Sequence, residues 1–116
     1  MSYSGSCHCG SVTFTVDQDL PDTAISCNCS HCRRKGFLLT FVDRDAFELN
    51  SGADDLIEYR FASRTIGHQF CKTCGVQSFS IGKAPDGSEK AAINLRCVPA
   101  VDLDALNIQK VDRADH

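Results

Sequence analysis

Several common signals are missing from this 116-residue sequence. It has no surplus of basic residues, because 12 lysines and arginines stand against 15 acidic residues and the formal net charge is −3. Proteins that bind nucleic acid usually carry a strong basic surplus, so we expect no nucleic-acid partner. No apolar run approaches the roughly 20 residues that a membrane span requires, so we expect no membrane partner either.

Targeting signals and common enzyme motifs are also missing. The first ten residues, MSYSGSCHCG, lack the charged segment and apolar stretch of a secretory signal, so we expect a cytoplasmic protein. The sequence contains no phosphate-binding glycine loop, no nucleophilic serine elbow and no evident pair of carboxylates. Internal repeats, low-complexity tracts and linkers are not visible either. The length suits one domain.

Helix-forming patterns are scarce, and the chain is predicted to be mainly β. Val12, Phe14 and Val16 alternate with polar residues, which predicts a half-buried strand over 11–16. Two short helical turns are predicted, one over 30–35 with Ser30 as its N-cap and one over 100–106. Further short strands, taken as antiparallel, are predicted over 36–42, 46–50, 56–61, 67–70, 76–81 and 90–96. Many short strands at similar spacing indicate a sandwich, a barrel or a folded-over sheet.

What the sequence has in abundance is cysteine. It contains eight, and seven of them fall into three tight groups: Cys7-x-Cys9, Cys27-x-Cys29-x-x-Cys32 and Cys71-x-x-Cys74. Disulfides belong to oxidising compartments, and no export signal is visible. Inert buried thiols have no reason to lie in tight groups along the sequence. Since a metal ion needs several sulfurs that converge on one point, metal binding is the favoured interpretation.

Two of the groups have the pattern of zinc knuckles. Gly10 follows Cys9 and Gly75 follows a second cysteine pair, and glycine adopts the positive φ that the chain needs as it turns around an ion. We therefore pair the two groups into one closed, structural zinc site. Its predicted ligands are Cys7, Cys9, Cys71 and Cys74. The roughly 60 residues between the two pairs mean that the metal would join distant parts of the chain.

The third group, in CNCSHC, lacks a glycine after any of its cysteines. Three thiolates with one open position form a reactive type of zinc site, so Cys27, Cys29 and Cys32 are the candidate catalytic centre. The next residues, Arg33, Arg34 and Lys35, are placed to hold an anionic ligand, or else form a solvated face. A protein side chain is the alternative fourth ligand. The candidates for that role are Cys97, His31 and His68.

The motifs together resemble a known family. GSCHCGSVTF, CNCSHCRRKG, HQFCKTCGVQSF and INLRCV, in this order, resemble the GFA domain of glutathione-dependent formaldehyde-activating enzymes and CENP-V-like proteins. The resemblance runs from about Tyr3 to Lys110. We therefore assign residues 3–110 to one zinc-binding domain and residues 111–116 to a polar tail.

The resemblance implies a tent-like β fold with two zinc ions per chain, and the second ion is the one expected to be lost more easily. It implies the same structural ligand set and a second zinc at the CxCxxC motif. The implied reaction joins glutathione and formaldehyde, formally a carbon–sulfur lyase in reverse. His31, Arg33 and Arg34 are candidate substrate contacts, and the expected partners are a small-molecule thiol and an aldehyde. A non-catalytic zinc-stabilised binding module and a thiol or metal redox sensor are the alternative functions.

Overall fold

The computed structural model describes residues 1–60 and 66–112. Over these residues the chain forms ten strands, one short helix and several 3₁₀ turns. Helix α1 spans Ser30–Lys35. The strands are β1 (Tyr3–Ser6), β2 (Thr13–Val16), β3 (Thr23–Cys27), β4 (Leu39–Asp43), β5 (Phe47–Ser51), β6 (Leu56–Tyr59), β7 (Gly67–Cys71), β8 (Gln77–Lys83), β9 (Glu89–Asn94) and β10 (Asn107–Val111). A helix long and apolar enough to span a membrane is not found in this part of the chain.

The strands form two sheets, which confirms the mainly β fold. The smaller sheet has the order β1-β2-β5, and the larger has the order β10-β3-β4-β9-β8-β7-β6. Neighbouring strands are antiparallel except β10, which runs parallel to β3, so the expectation of a purely antiparallel fold is wrong at this pair. The reason is a crossover: residues 95–106 carry the chain from β9 past β4 to the outer edge of β3.

The main core lies between the two sheets. Val12, Phe14 and Val16 are fully buried, which confirms the alternation predicted for this strand. Phe47 connects the sheets, because its ring centroid lies 5.7 Å from that of Phe14 and 4.7 Å from that of Phe79 in the larger sheet. Three apolar side chains fully removed from water contribute several kcal/mol of hydrophobic stabilisation, at about 1.5–3 kcal/mol each.

The outer face of the larger sheet carries α1. A row of directly paired residues crosses five strands of this sheet: Phe41, Ala92, Ser80, His68 and Tyr59. Ala92 and Ser80, the second and third members of the row, have small side chains, which leaves room for the helix above them. Cys29 and Cys32 pack there in a second, smaller core, together with Phe37, Leu39 and Ala92. The fold thus places the CNCSHC motif against a rigid sheet.

Several predicted boundaries are shifted. The strand predicted from residue 36 begins at Leu39, because Gly36 has φ +70° and terminates α1 in a left-handed conformation. The turn predicted over 100–106 is a 3₁₀ turn at Leu103–Ala105. Phe61, the last residue of the predicted strand 56–61, and residues 113–116 of the predicted tail lie outside the described residues.

Candidate metal centres

The first centre contains four cysteines from two distant parts of the chain. The Sγ atoms of Cys7, Cys9, Cys71 and Cys74 all lie within 4.8 Å of one another. Cys9 Sγ is 3.6 Å from both Cys7 Sγ and Cys71 Sγ. A tetrahedral zinc with Zn–S bonds of about 2.3 Å separates its sulfurs by about 3.8 Å. The four thiols therefore fit a zinc ion.

The backbone around these cysteines has knuckle geometry. Gly10 has φ +82° and Gly75 has φ +80°, as the sequence predicted for the residues that follow each pair. The Gly75 N–H donates to the Cys71 carbonyl at 2.8 Å. The tight turns point backbone amides at sulfur: Val12 N–H lies 3.4 Å from Cys7 Sγ, and Thr73 N–H lies 3.4 Å from Cys71 Sγ. These donors stabilise the thiolate forms.

Ser11 belongs to this centre, although the sequence analysis did not identify it. Its Oγ lies 3.2 Å from Cys9 Sγ and 3.4 Å from Cys71 Sγ. The Ser11 hydroxyl is the largest cause that lowers the pKa of Cys71, to about 6, and the backbone amide of Cys74 is the next. The signal in the sequence was the position of Ser11 directly after the knuckle glycine.

The second centre is local in sequence. Cys27 ends β3, Cys29 precedes α1 and Cys32 lies within it, and their three Sγ atoms lie within 4.8 Å of one another. Cys29, not Ser30, is the N-cap, because its Sγ accepts the Cys32 N–H at 3.3 Å. The predicted serine cap is wrong because the turn before α1 aims the Cys29 thiol at a free amide in the first turn of the helix.

The pKa values of Cys32 and Cys29 are shifted in opposite directions. Burial raises the pKa of Cys32 far above the ordinary thiol range, and the neighbouring thiols Cys29 and Cys27 raise it further. Burial also raises the pKa of Cys29, but the amide hydrogen bond from Cys32 and its other hydrogen bonds outweigh this and the net shift is downward. Three thiolates cannot share this space without a positive charge among them. A metal ion held by the three cysteines would supply that charge.

None of the three alternative fourth ligands joins this cluster. Within residues 1–60 and 66–112, the group consists of Cys27, Cys29 and Cys32 without a further cysteine, histidine or carboxylate ligand. Cys97 packs against the main core instead, where its Sγ lies 3.8 Å from the Gln77 carbonyl oxygen and burial raises its pKa. The described residues therefore leave one coordination position of a tetrahedral metal open.

Two histidines lie beside the second centre without joining it. The rings of His31 and His68 have centroids 4.0 Å apart, and Tyr59 stacks on His31 at 5.8 Å. Gln77 Nε2 lies 3.2 Å from His68 Nδ1. Burial lowers the pKa of His68 to about 4, and the charges of His31 and Lys35 add to this effect.

The predicted basic residues lie on the last turn of α1 and are exposed. The Arg34 guanidinium donates to the Ser30 carbonyl at 2.8 Å, and Lys35 Nζ lies 5.3 Å from the centre of the Phe70 ring. Arg96, which the sequence analysis did not single out, donates to the Gly36 carbonyl at 2.8 Å and so adds a positive charge at the end of the helix. The three cysteine thiols thus lie at the start of the helix, and positive charge lies at its end.

The fold and the two centres define a mainly β protein with one group of four thiols and one group of three thiols, each of which could hold a metal ion. The family model for the glutathione-dependent formaldehyde-activating enzyme matches residues 2–107, and the chain belongs to this family. It is also similar to the crystal structure of a Rhodobacter sphaeroides protein, with 30% sequence identity and a TM-score of 0.76. The match covers 91% of this chain and 99% of that protein, so the two share a fold over nearly their whole lengths.

Proposed function

We propose that this protein is a zinc-dependent carbon–sulfur enzyme that joins a thiol, glutathione, to a small aldehyde at the three-cysteine centre. The observation that carries the proposal is the set of three thiols, Cys27, Cys29 and Cys32, with no fourth ligand among the described residues. A closed four-ligand site is typical of a structural role, and an open position is typical of a catalytic one. Membership of the family of glutathione-dependent formaldehyde-activating enzymes supports the same proposal.

Zinc at this centre would supply Lewis acidity that keeps a substrate thiol in its thiolate form at neutral pH. The chain's own residues bind and orient the substrate. The exposed Arg33, Arg34 and Lys35 attract the carboxylates of glutathione, since charge-assisted hydrogen bonds from guanidinium to carboxylate are among the strongest available. Phe37 and Leu39 are buried against Cys29 and Cys32, and they exclude water from one side of the centre.

The reaction forms one bond and needs no oxidant. The substrate sulfur attacks the aldehyde carbon, the carbonyl electron pair moves to oxygen, and that oxygen takes up a proton to give the hemithioacetal. The proton comes from water or from His31, which lies next to Cys32 in α1. The rate gain arises mostly from positioning, because coordination makes a thiolate more available but also less nucleophilic.

Calorimetric titration of the zinc-loaded protein with glutathione tests the proposal. We expect saturable heat at millimolar glutathione and its loss in Cys29→Ala. Cys97→Ala is the matched control, since Cys97 lies in the main core and the substitution should leave binding unchanged. An absence of heat in the wild-type protein, with Cys29→Ala indistinguishable from it, would exclude glutathione and favour a non-catalytic zinc module.

The basic residues are tested separately. Arg33→Gln and Arg34→Gln should each weaken glutathione binding while the second zinc is retained, and Lys83→Gln, an exposed charge at the far end of β8, serves as control. Equal affinity in all three variants would show that the helix charges do not contact the substrate. Product formation from glutathione and formaldehyde, followed by ¹³C NMR, completes the test of the reaction itself.

A further inference from the structure

Ser11 places a hydroxyl group against the sulfurs of the four-cysteine centre. Its Oγ lies 3.2 Å from Cys9 Sγ, 3.4 Å from Cys71 Sγ and 3.9 Å from Cys7 Sγ. It thus contacts three thiols that come from both knuckles. A hydroxyl is a hydrogen-bond donor, and a thiolate is an acceptor.

The backbone of Ser11 is held in this position by the next strands. Its carbonyl oxygen accepts a hydrogen bond from Ser51 Oγ at 3.2 Å. Ser51 Oγ is in turn 2.6 Å from Thr13 Oγ1, across the pairing of β2 with β5. The side chain of Ser11 is therefore presented to the sulfurs from a fixed backbone position.

The charge of the centre explains why such a donor matters. Four thiolates around Zn²⁺ carry a net charge of −2. Lys72, next to Cys71, is engaged in an ion pair with Asp55, whose carboxylate lies 3.7 Å from its Nζ. Hydrogen-bond donors therefore carry much of the compensation. Backbone amides of Val12 and Thr73 serve Cys7 and Cys71. Cys9 is the exposed member of the set, and it accepts both from the backbone amide of Ser11 and from the Ser11 hydroxyl, whose Oγ is closest to this sulfur.

We propose that Ser11 is a hydrogen-bonding support of the structural zinc site. Its hydroxyl is shared between the Cys9 and Cys71 thiolates, slows the loss of the metal and protects the exposed Cys9 sulfur from electrophiles. This role is separate from the proposed thiol–aldehyde reaction. Residues that hydrogen-bond to metal ligands commonly change metal affinity by roughly 10- to 100-fold when they are replaced.

The test compares Ser11→Ala, Ser11→Thr and wild-type protein, each loaded with zinc. Zinc transfer to a chromogenic chelator is followed together with alkylation by iodoacetamide, and mass spectrometry identifies the modified cysteines. We expect Ser11→Ala to release the metal of the first centre about tenfold faster and to be alkylated faster at Cys9. Ser11→Thr, which keeps a hydroxyl, should stay close to wild type.

Two further variants keep the test decisive. Ser4→Ala removes a hydroxyl from β1, away from the metal, and should match wild type. Ser51→Ala removes the hydrogen bond to the Ser11 carbonyl and should release zinc at a rate between those of wild type and Ser11→Ala. If Ser11→Ala does not fold, Ser51→Ala provides the test in its place. Wild-type rates in Ser11→Ala, or equally fast release from Ser11→Ala and Ser11→Thr, would overturn the proposal. Alkylation at Cys27, Cys29 and Cys32 is the internal reference and should not change.

Discussion

Cys71 and Cys32 are both buried, but they belong to different cysteine centres. Cys71 helps to join two segments that are about 60 residues apart, and structural zinc binding is coupled to folding. We expect Cys71→Ser to give unfolded or insoluble protein. Cys32→Ser removes a ligand from a locally formed site and should leave the fold largely intact.

The prediction is checked by measuring the soluble yield, the far-UV circular dichroism spectrum and the number of zinc ions per chain for each variant. Cys97→Ser is the control for the loss of a cysteine in general. If Cys32→Ser unfolded the chain as completely as Cys71→Ser, the division into a structural centre and a reactive centre would be wrong.

His68 gives a prediction for pH. Its pKa is lowered by burial to about 4 from an ordinary 6.5, so between these values the unfolded chain binds a proton at this position and the folded chain does not. His68 therefore stabilises the fold fully above pH 6.5 and loses that contribution as the pH falls towards 4, by about 1.4 kcal/mol per pH unit.

NMR titration of the His68 ring in zinc-loaded protein measures this pKa directly. Because acid also removes zinc, the stability effect is taken as the difference between wild type and His68→Leu at matched pH and zinc concentration. A ring that titrates near pH 6.5, or parallel stability curves for the two proteins, would contradict the prediction.

Helix α1 is short, so its stability depends on the residues that cap its two ends. Cys29 caps its start, and Gly36 ends it with φ +70°, where its amide donates to the Cys32 carbonyl at 2.9 Å. A Cβ on Gly36 would meet nothing within 4 Å, so the cost of Gly36→Ala is conformational, about 1–2 kcal/mol. We expect this variant to bind the second zinc more weakly, because alanine disfavours the left-handed conformation that terminates the helix carrying Cys32.

Gly87 offers a matched control for this prediction. It has φ +89°, equally open surroundings and a position in the turn between β8 and β9. Gly87→Ala should cost a similar free energy of unfolding without any effect on zinc affinity. Equal zinc affinity in the two variants would show that the end of α1 does not support the second centre.

The strands and the helix also show which elements could be predicted from the sequence. Strands with apolar alternation or apolar runs were predicted, with shifted ends, and α1 was predicted over its observed length. The missed strands are β1, β3 and β10. β1 contains serine and glycine, and β10 is exposed along most of its length, so neither has the alternation that marks a half-buried strand. β1 and β10 form because each pairs with the edge of a sheet through its backbone.

The same contrast holds for the metal centres. Glycine after cysteine was enough to pair the two knuckles, since that pattern has a local backbone cause. Ser11, Tyr59 and Gln77 reach their places only through strand pairing and packing, which no local pattern encodes. The exclusion of Cys97 from the second centre is likewise a consequence of the tertiary fold, because it lies on the other side of the larger sheet.

At the scale of the whole molecule, metal removal should occur in two steps. The open three-thiol centre has one ligand fewer, so a chelator should take its zinc first. We expect half of the zinc to leave with little change in circular dichroism, and the second half to leave together with the β-sheet signal and with a large fall in melting temperature. Parallel zinc and circular dichroism measurements across a chelator series check this order. A single step in which metal and structure are lost together would contradict it.

The two centres also differ in when they become available during synthesis. Cys27, Cys29 and Cys32 lie within six residues of one another, so the entropy cost of closing that loop is small and the group is complete once the first third of the chain has left the ribosome. The other centre must wait for Cys71 and Cys74 and for the sheets that bring them to Cys7 and Cys9. A metal ion supplied to a growing chain would thus find the three-cysteine group complete before the four-cysteine group.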